Sequence, residues 1–594
     1  MKKQTAKIFL IGLLFSSVGI YAQIQEERLI LDKKREPEVQ KIEKKKTSVE
    51  TLKNYPPEEK SSVPVKYSIT NVPAVSDFKT SVIQGQDVSP TLNQSKTDNY
   101  FRIGYGNFGK ILADANISTV VDNKLEIGAD AHFLSTDGLK KEYAWDSKAS
   151  EAQVAAYLNS YGEQGKFNLT AQYDLNKYNY YGIYALEPEA SIDLEQKTNR
   201  FTAMGYYDFY SNEILNDFSV KASFLGDHFD AKENSVEADL NLSKHDVPLP
   251  LDGFTMNADL GVGLDYVDSN FKLLNANESQ YVQGELSPKL TFRKGDSYLM
   301  IGSDFSFFSS TVSSLSSPSK EKVNKTYWFP RAELLLSASK EFNFYAGIDG
   351  GLKFNSYGSL LEINPYLVSD QVLKPTREKY RFYFGIKGDL DENLKYDLSG
   401  GYAKVENIQY FYNNGLFDLN HTLNRSAYNF ANVFSSTYGD GNISHVNAKV
   451  EYFPLANLTL MGQLNYENYS MDSGNEIYYK PQVTGVIGAK YAMLDKKLHL
   501  GFQGIFASKQ YTNSWNISTV ENPDVPGTYL YSQTLNPKQQ IDGYMDLNLS
   551  AEYKFHKNFS IFALGNNLLS DNYEQHLGYK VLGAQIVGGL KITF

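Results

Sequence analysis

The sequence predicts an all-β fold: a transmembrane antiparallel β-barrel of about 22 strands, with short periplasmic turns and long extracellular loops. Three observations lead there. Apolar and polar residues alternate with period two along many stretches. Short polar turns alternate with longer, variable loops. The chain stops in the middle of a strand, on "AQIVGGLKITF" (584–594), with Phe594 as a bare end.

The alternation is plain in three places. In "VEADLNLS" Val236, Ala238, Leu240 and Leu242 alternate with Glu237, Asp239, Asn241 and Ser243. In "HVNAKVEY" Val446, Ala448, Val450 and Tyr452 form the apolar set, and in "MDLNLSAEY" Met545, Leu547, Leu549, Ala551 and Tyr553 do. One apolar face at period two marks a half-buried strand. No intervening stretch carries a convincing helical period, which disfavours repeated βαβ units.

The turns give the strand number. A short polar turn followed by an aromatic or Leu strand start occurs at 122–127 ("DNKLEI"), 165–169, 216–220, 252–256 ("DGFTM"), 294–300, 340–344, 391–396, 456–460, 495–500 and 557–561 ("KNFSI"). Longer polar stretches lie between them, at 135–150, 178–198, 309–323, 354–377, 405–435 and 508–540. Ten turns, with both barrel ends on their side, imply eleven hairpins and hence about 22 strands, an even number. A soluble propeller or a string of sandwiches leaves the turn asymmetry unexplained, and no blade repeat is present.

Composition agrees. The 594 residues carry a net charge of −11, 14% aromatics, 44 Tyr and no Cys. The mean hydropathy is −0.41, and past the N-terminus no apolar run approaches the roughly 20 residues of a membrane helix. Absence of Cys excludes a disulfide scaffold, a thiolate metal site and a lipid-anchored Cys. The mild acidity points to no nucleic-acid partner. Residues 1–22 read as a signal peptide: a basic "MKKQTAK", an apolar "IFLIGLLFSSVGI" and a cut after "IYA". An uncleaved anchor helix is the alternative. Residues 23–98, charge-dense to 60 and Pro-punctuated beyond, read as a periplasmic extended or disordered segment, with the barrel at 99–594.

Two stretches carry a family likeness. "NYFRIGYGNFGKILADANISTVVDNKLEIGADAHFLSTDG" (99–138) resembles the first three barrel strands of TonB-dependent outer-membrane receptors. "YMDLNLSAEYKFHKNFSIFALGNNLLSDNYEQHLGYKVLGAQIVGGLKITF" (544–594) resembles their last three, with "NNLLSDNY" (566–573) matching an Asn-Leu-(Leu/Phe)-x-x-x-Tyr signature. The resemblance implies outer-membrane transport, contact with lipid, and Phe594 as the address read by the barrel-assembly machinery. Family members carry a large folded plug and a TonB box ahead of the barrel. Neither is visible in 23–98, so the chain looks more like plug-lacking relatives in Bacteroidota, and its use of TonB stays open.

A barrel this wide is normally filled. The candidates are residues 23–98, inward loops, or a periplasmic or surface partner protein. Loops 405–435 and 508–540 are rich in Tyr, Phe and Asn, with Trp515. Such rings suit carbohydrate, peptide or protein contact, and equally suit loops packing on one another above the lumen.

Nothing proposes an enzyme, a cofactor or a metal. "GYGNFG" (104–109) matches a dinucleotide fingerprint but runs into "KILADANIS", so it reads as a hairpin turn. "SPSK" (317–320) sits in a Ser-rich loop. The eight His lack paired metal spacing. Asp239, Glu451, Asp546 and Glu552 read as solvated charges on the lumen wall. The expected function is a transport-related barrel resembling TonB-dependent receptors. A structural subunit of an envelope complex and a passive porin are the alternatives.

Overall fold

The structure, a computed structural model, describes residues 99–594 apart from 123, 140–144, 187–191, 211, 392, 422–424 and 571–572. The signal peptide at 1–22 and the segment at 23–98 lie outside the described residues. From Tyr100 onward the chain forms a closed antiparallel sheet of 22 strands. Every one of the ten short turns joins two neighbouring barrel strands at the same end, and the first and last strands also begin and finish there.

Closure is made by the first strand (Tyr100–Gly106) and the last (Gln585–Thr593). Phe101 stands opposite Ile592, Ile103 opposite Leu590 and Tyr105 opposite Gly588. These residues, with Ile586 and Phe594, leave the apolar face exposed on the barrel exterior. Arg102, Gly104, Gly589 and Lys591 take the lumen side in the same register. Continued around the wall, outward Phe, Leu, Ile and Val make an apolar exterior, while the inner face carries the charges.

The wall is uneven in height. The closing ladder runs from Tyr100/Thr593 to Gly106/Val587, about 20 Å at 3.4 Å per residue, somewhat shorter than the apolar band such barrels present. About a third of the way round from the seam stand the longest strands, Leu394–Asn413 and Phe434–Leu455, with 20 and 22 residues. They extend past the belt and carry loops across the mouth.

Three expected loops hold more structure than the sequence suggests. The stretch 309–323 is largely the ends of strands Ser297–Ser313 and Glu321–Ser337. The stretch 354–377 contains a helix, Tyr357–Ile363, whose Ser356 side chain accepts the Ser359 amide. The stretch 508–540 is mostly a hairpin of Gln510–Glu521 and Tyr529–Ile541, outside the barrel sheet. Its alternation is masked because both faces carry polar residues. "GYGNFG" forms the turn between the first two strands, with Phe108 and Gly109 at φ 56° and 63°.

Gly589 faces the lumen at the seam, where a side chain would run into the Ile103 carbonyl and the Phe562 ring. Replacing Gly589 by Val is expected to keep the seam from closing. Heat-modifiable migration on gels reports this. The variant should lose the compact band, and a normal compact band would contradict the packing.

Candidate functional site

The long-loop end is closed by its own loops. The described residues of segments 180–194, 354–375, 414–433, 472–482 and 567–584 fold inward and meet over the lumen together with the hairpin of Gln510–Ile541. One apolar cluster joins Leu225, Phe308 and Phe411, from the seventh, eleventh and fifteenth strands, to Tyr357, Leu360 and Leu367 of the helical loop and to Tyr479, Ile541 and Tyr579. It therefore reaches from wall to wall. A second cluster packs Tyr180, Ile183 and Leu194 against Val368, Phe430 and Val433.

Buried carboxylates anchor the helical loop to the wall. Glu233, on the strand Lys232–Pro248, accepts the Tyr357 amide at 2.6 Å and the Gly358 amide at 2.8 Å. Ser269 Oγ donates to the same carboxylate at 2.7 Å. Arg200 donates to the Gly358 carbonyl at 3.0 Å and pairs with Glu362 at 2.5 Å. Asp227 accepts the Tyr357 hydroxyl at 2.8 Å. Farther along the loop, Asp370 accepts the amides of Asn275, Ala276 and Asn277 at 2.6, 3.1 and 3.0 Å. A buried charge is tolerable only when its lone pairs are filled in this way.

Tyrosines tie the remaining loops to that one. Tyr180 donates to the Leu367 carbonyl at 2.7 Å, and Tyr178 to the Pro365 carbonyl at 2.6 Å. Tyr579 stacks on Tyr366 with centroids 3.4 Å apart and donates to the Asn432 carbonyl at 2.5 Å. Gly182 lies under the Tyr579 ring, where any side chain would collide with it. His576 sits among Tyr366, Phe434 and Tyr479, at 5.9, 5.6 and 5.5 Å. Burial pushes it down to about 4, so the ring is neutral at neutral pH.

The C-terminal "NNLLSDNY" belongs to this closure. Tyr573 folds back over the strand Tyr544–His556, stacks on Tyr544 at 4.0 Å and donates to Asp546 at 2.9 Å. Asp546 is thus a docking point and only 7% exposed, where the sequence suggested a solvated charge. Glu451 is likewise buried in the wall, 3.7 Å from Lys449, and so departs from the solvated charge expected; Glu552 pairs with Lys591 at 3.2 Å, and Asp239 is an exposed wall charge as expected. Phe594 is 62% exposed on the exterior, its amide bonded to the Asn99 carbonyl at 2.9 Å.

Beneath the cap lies a cavity of about 380 Å³, between the inner wall and the underside of the helical loop. Glu151, Gln153, Gln172, Asp174, Arg200 and Glu362 line it, with Tyr178, Tyr181 and Tyr366. Sequence reasoning singled out none of these. The tyrosine run "YNYYGIY" (178–184) was the available signal, since so many rings at one strand end need partners.

No protein-family model and no curated protein matches the sequence. Solved structures do match the fold, among them receptors and transporters of metal compounds. The ferric-catecholate import receptor Fiu of E. coli K12 superposes with a TM-score of 0.59 at 11% identity, over 84% of this chain and 82% of Fiu. The FrpB iron transporter of Neisseria meningitidis gives 0.58 at 9% identity, over 84% and 81%. The pyoverdine outer membrane receptor FpvA of Pseudomonas aeruginosa PAO1 gives 0.57 at 12%, over 84% and 78%. At these identities the likeness carries the fold, a closed antiparallel barrel of 22 strands, and nothing finer.

Replacing Glu233 by Ala strips the acceptor from two buried amides, at about 1–3 kcal/mol each. The barrel should survive and the helical loop should loosen. Limited proteolysis is expected to cut within 354–375 in the variant while sparing the parent. Equal resistance would contradict the anchoring role.

Proposed function

We propose that this protein is a transport-related outer-membrane barrel whose outer mouth is closed by its own loops. In this reading residues 1–22 are a cleaved signal peptide, the short turns face the periplasm and the long loops face outside. The observation that supports it is the cap: a wall-to-wall apolar cluster held by buried carboxylates. A passive porin has no use for such a closure. Uptake requires it to open, and the receptors with this fold are named for import of iron compounds. Coupling to TonB would supply the work and belongs to the proposal.

A second reading, a scaffold for a surface partner, draws on the hairpin outside the barrel sheet. Val520, Val525 and Tyr529 there are 41%, 51% and 55% exposed, an apolar tip suited to protein contact.

Single-channel conductance in planar bilayers tests the leading reading. Deleting 23–98 alone should leave conductance low, because the cap still closes the mouth. Replacing 356–372 as well by a short Gly/Ser linker should open a large pore. A large pore on deleting 23–98 alone would assign closure to that segment instead.

Phe594 is read as the address for the assembly machinery. Its deletion is expected to abolish membrane insertion while export continues. A normal heat-modifiable barrel in the outer membrane would refute that role.

A further inference from the structure

We propose that the cavity beneath the cap binds a small organic ammonium ligand, an alkyl amine or polyamine, on Asp174. The proposal rests on the reading of the loops as a cap, since the helical loop forms one wall of the cavity.

A single row of inward residues crosses six neighbouring strands in register: Arg102, Asp114, His132, Gln153, Asp174 and Arg200. The seam half of the row satisfies itself. Arg102 pairs with Asp114, and His132 bridges Asp114 at 2.5 Å and Glu151 at 3.3 Å.

The cavity half is different. Arg200 stands directly opposite Asp174 in register, yet its guanidinium is drawn away to Glu362 and the Gly358 carbonyl. Among the described residues Asp174 has no cation within ion-pair distance. Two amides approach it instead. Gln153 Nε2 and Gln172 Nε2 each donate to Asp174 Oδ1 at 2.9 Å, the latter also to Oδ2 at 3.0 Å.

That arrangement fixes the polarity of the site. A carboxylate only accepts, so both Gln side chains must turn their NH₂ groups to it and their carbonyl oxygens away. Asp174 and the two carbonyl oxygens therefore form a group of acceptors in the cavity. Arg200 turns two of its N–H donors to the cap, to the Gly358 carbonyl and Glu362. A ligand placed here must bring hydrogen-bond donors and positive charge, and an ammonium brings three N–H groups on one centre.

The walls argue for an organic cation over a bare metal ion. Tyr178, Tyr181 and Tyr366 line the same cavity, and aromatic rings favour alkylammonium groups. The volume of about 380 Å³ lies at the small end of ligand pockets. Asp239 offers the contrast: it is an exposed wall charge with no amide clamp and no part in this cavity.

The test is calorimetric titration of the full chain in detergent micelles with spermidine, with 1,8-octanediol as the uncharged control and Ca²⁺ as the competing cation. Spermidine should bind and the diol should not. Asp174→Asn should weaken spermidine by about tenfold or more, as expected for losing one charged hydrogen bond. Asp239→Asn should leave binding unchanged. Both variants must first show the compact, heat-modifiable barrel. Absent spermidine binding, an equal response to the diol, Ca²⁺ binding that Asp174→Asn abolishes, or unchanged affinity in Asp174→Asn would each overturn the proposal. Conductance reports the cap separately, so failure here leaves the closure result standing on its own.

Discussion

The structure depends on one constraint: in an apolar surround every backbone amide and carbonyl of the wall must find a partner inside the sheet. An open sheet edge there costs several kcal/mol per unpaired group. The ladder from Tyr100/Thr593 to Gly106/Val587 removes the last edge. Gly104 faces Gly589 at its centre, so two backbones approach where side chains would collide. Phe594 lies at the end of the ladder, and its amide is satisfied by Asn99.

Closing the sheet creates a second problem, a wide lumen. The tall strands around Leu394–Asn413 and Phe434–Leu455 provide the answer by carrying loops over the opening. These loops bury their own backbone, so each polar group needs a partner there too. Glu233, Asp227 and Asp370 supply acceptors from several directions, and tyrosine hydroxyls supply donors to loop carbonyls. The cap is thus a polar network wrapped in aromatic rings. Such a network is rigid when complete and weak when one member is removed.

Much of the barrel was legible in the sequence because its signals are local. A strand with one lipid face must alternate, and a short turn must carry polar residues, so ten turns such as "DGFTM" and "KNFSI" set the strand number. The terminal strand showed its faces through Ile586, Leu590 and Ile592 against Lys591 and Thr593. The cap was not legible, because its contacts are distant in the chain: Glu233 with Tyr357, Tyr180 with Leu367, Tyr579 with Asn432. Asp546 alternated like any wall residue, and nothing local shows that Tyr573 returns to cover it. The hairpin at 510–541 escaped because Asn513, Thr519 and Gln533 interrupt the face that carries Trp515, Ile517, Tyr531 and Leu535, so period two left only a broken apolar stripe.

Hydrogen–deuterium exchange on the intact protein in detergent tests most directly whether the loops form a folded cap. Phe434 pairs with the helical loop through its backbone: its carbonyl accepts the Val368 amide and its amide donates to the Tyr366 carbonyl, both at 3.0 Å. The account predicts that these amides, with those of Tyr357 and Gly358, are protected to nearly the degree of the barrel strands. Exchange of 354–375 within seconds, as fast as the exposed hairpin tip at 522–528, would contradict it.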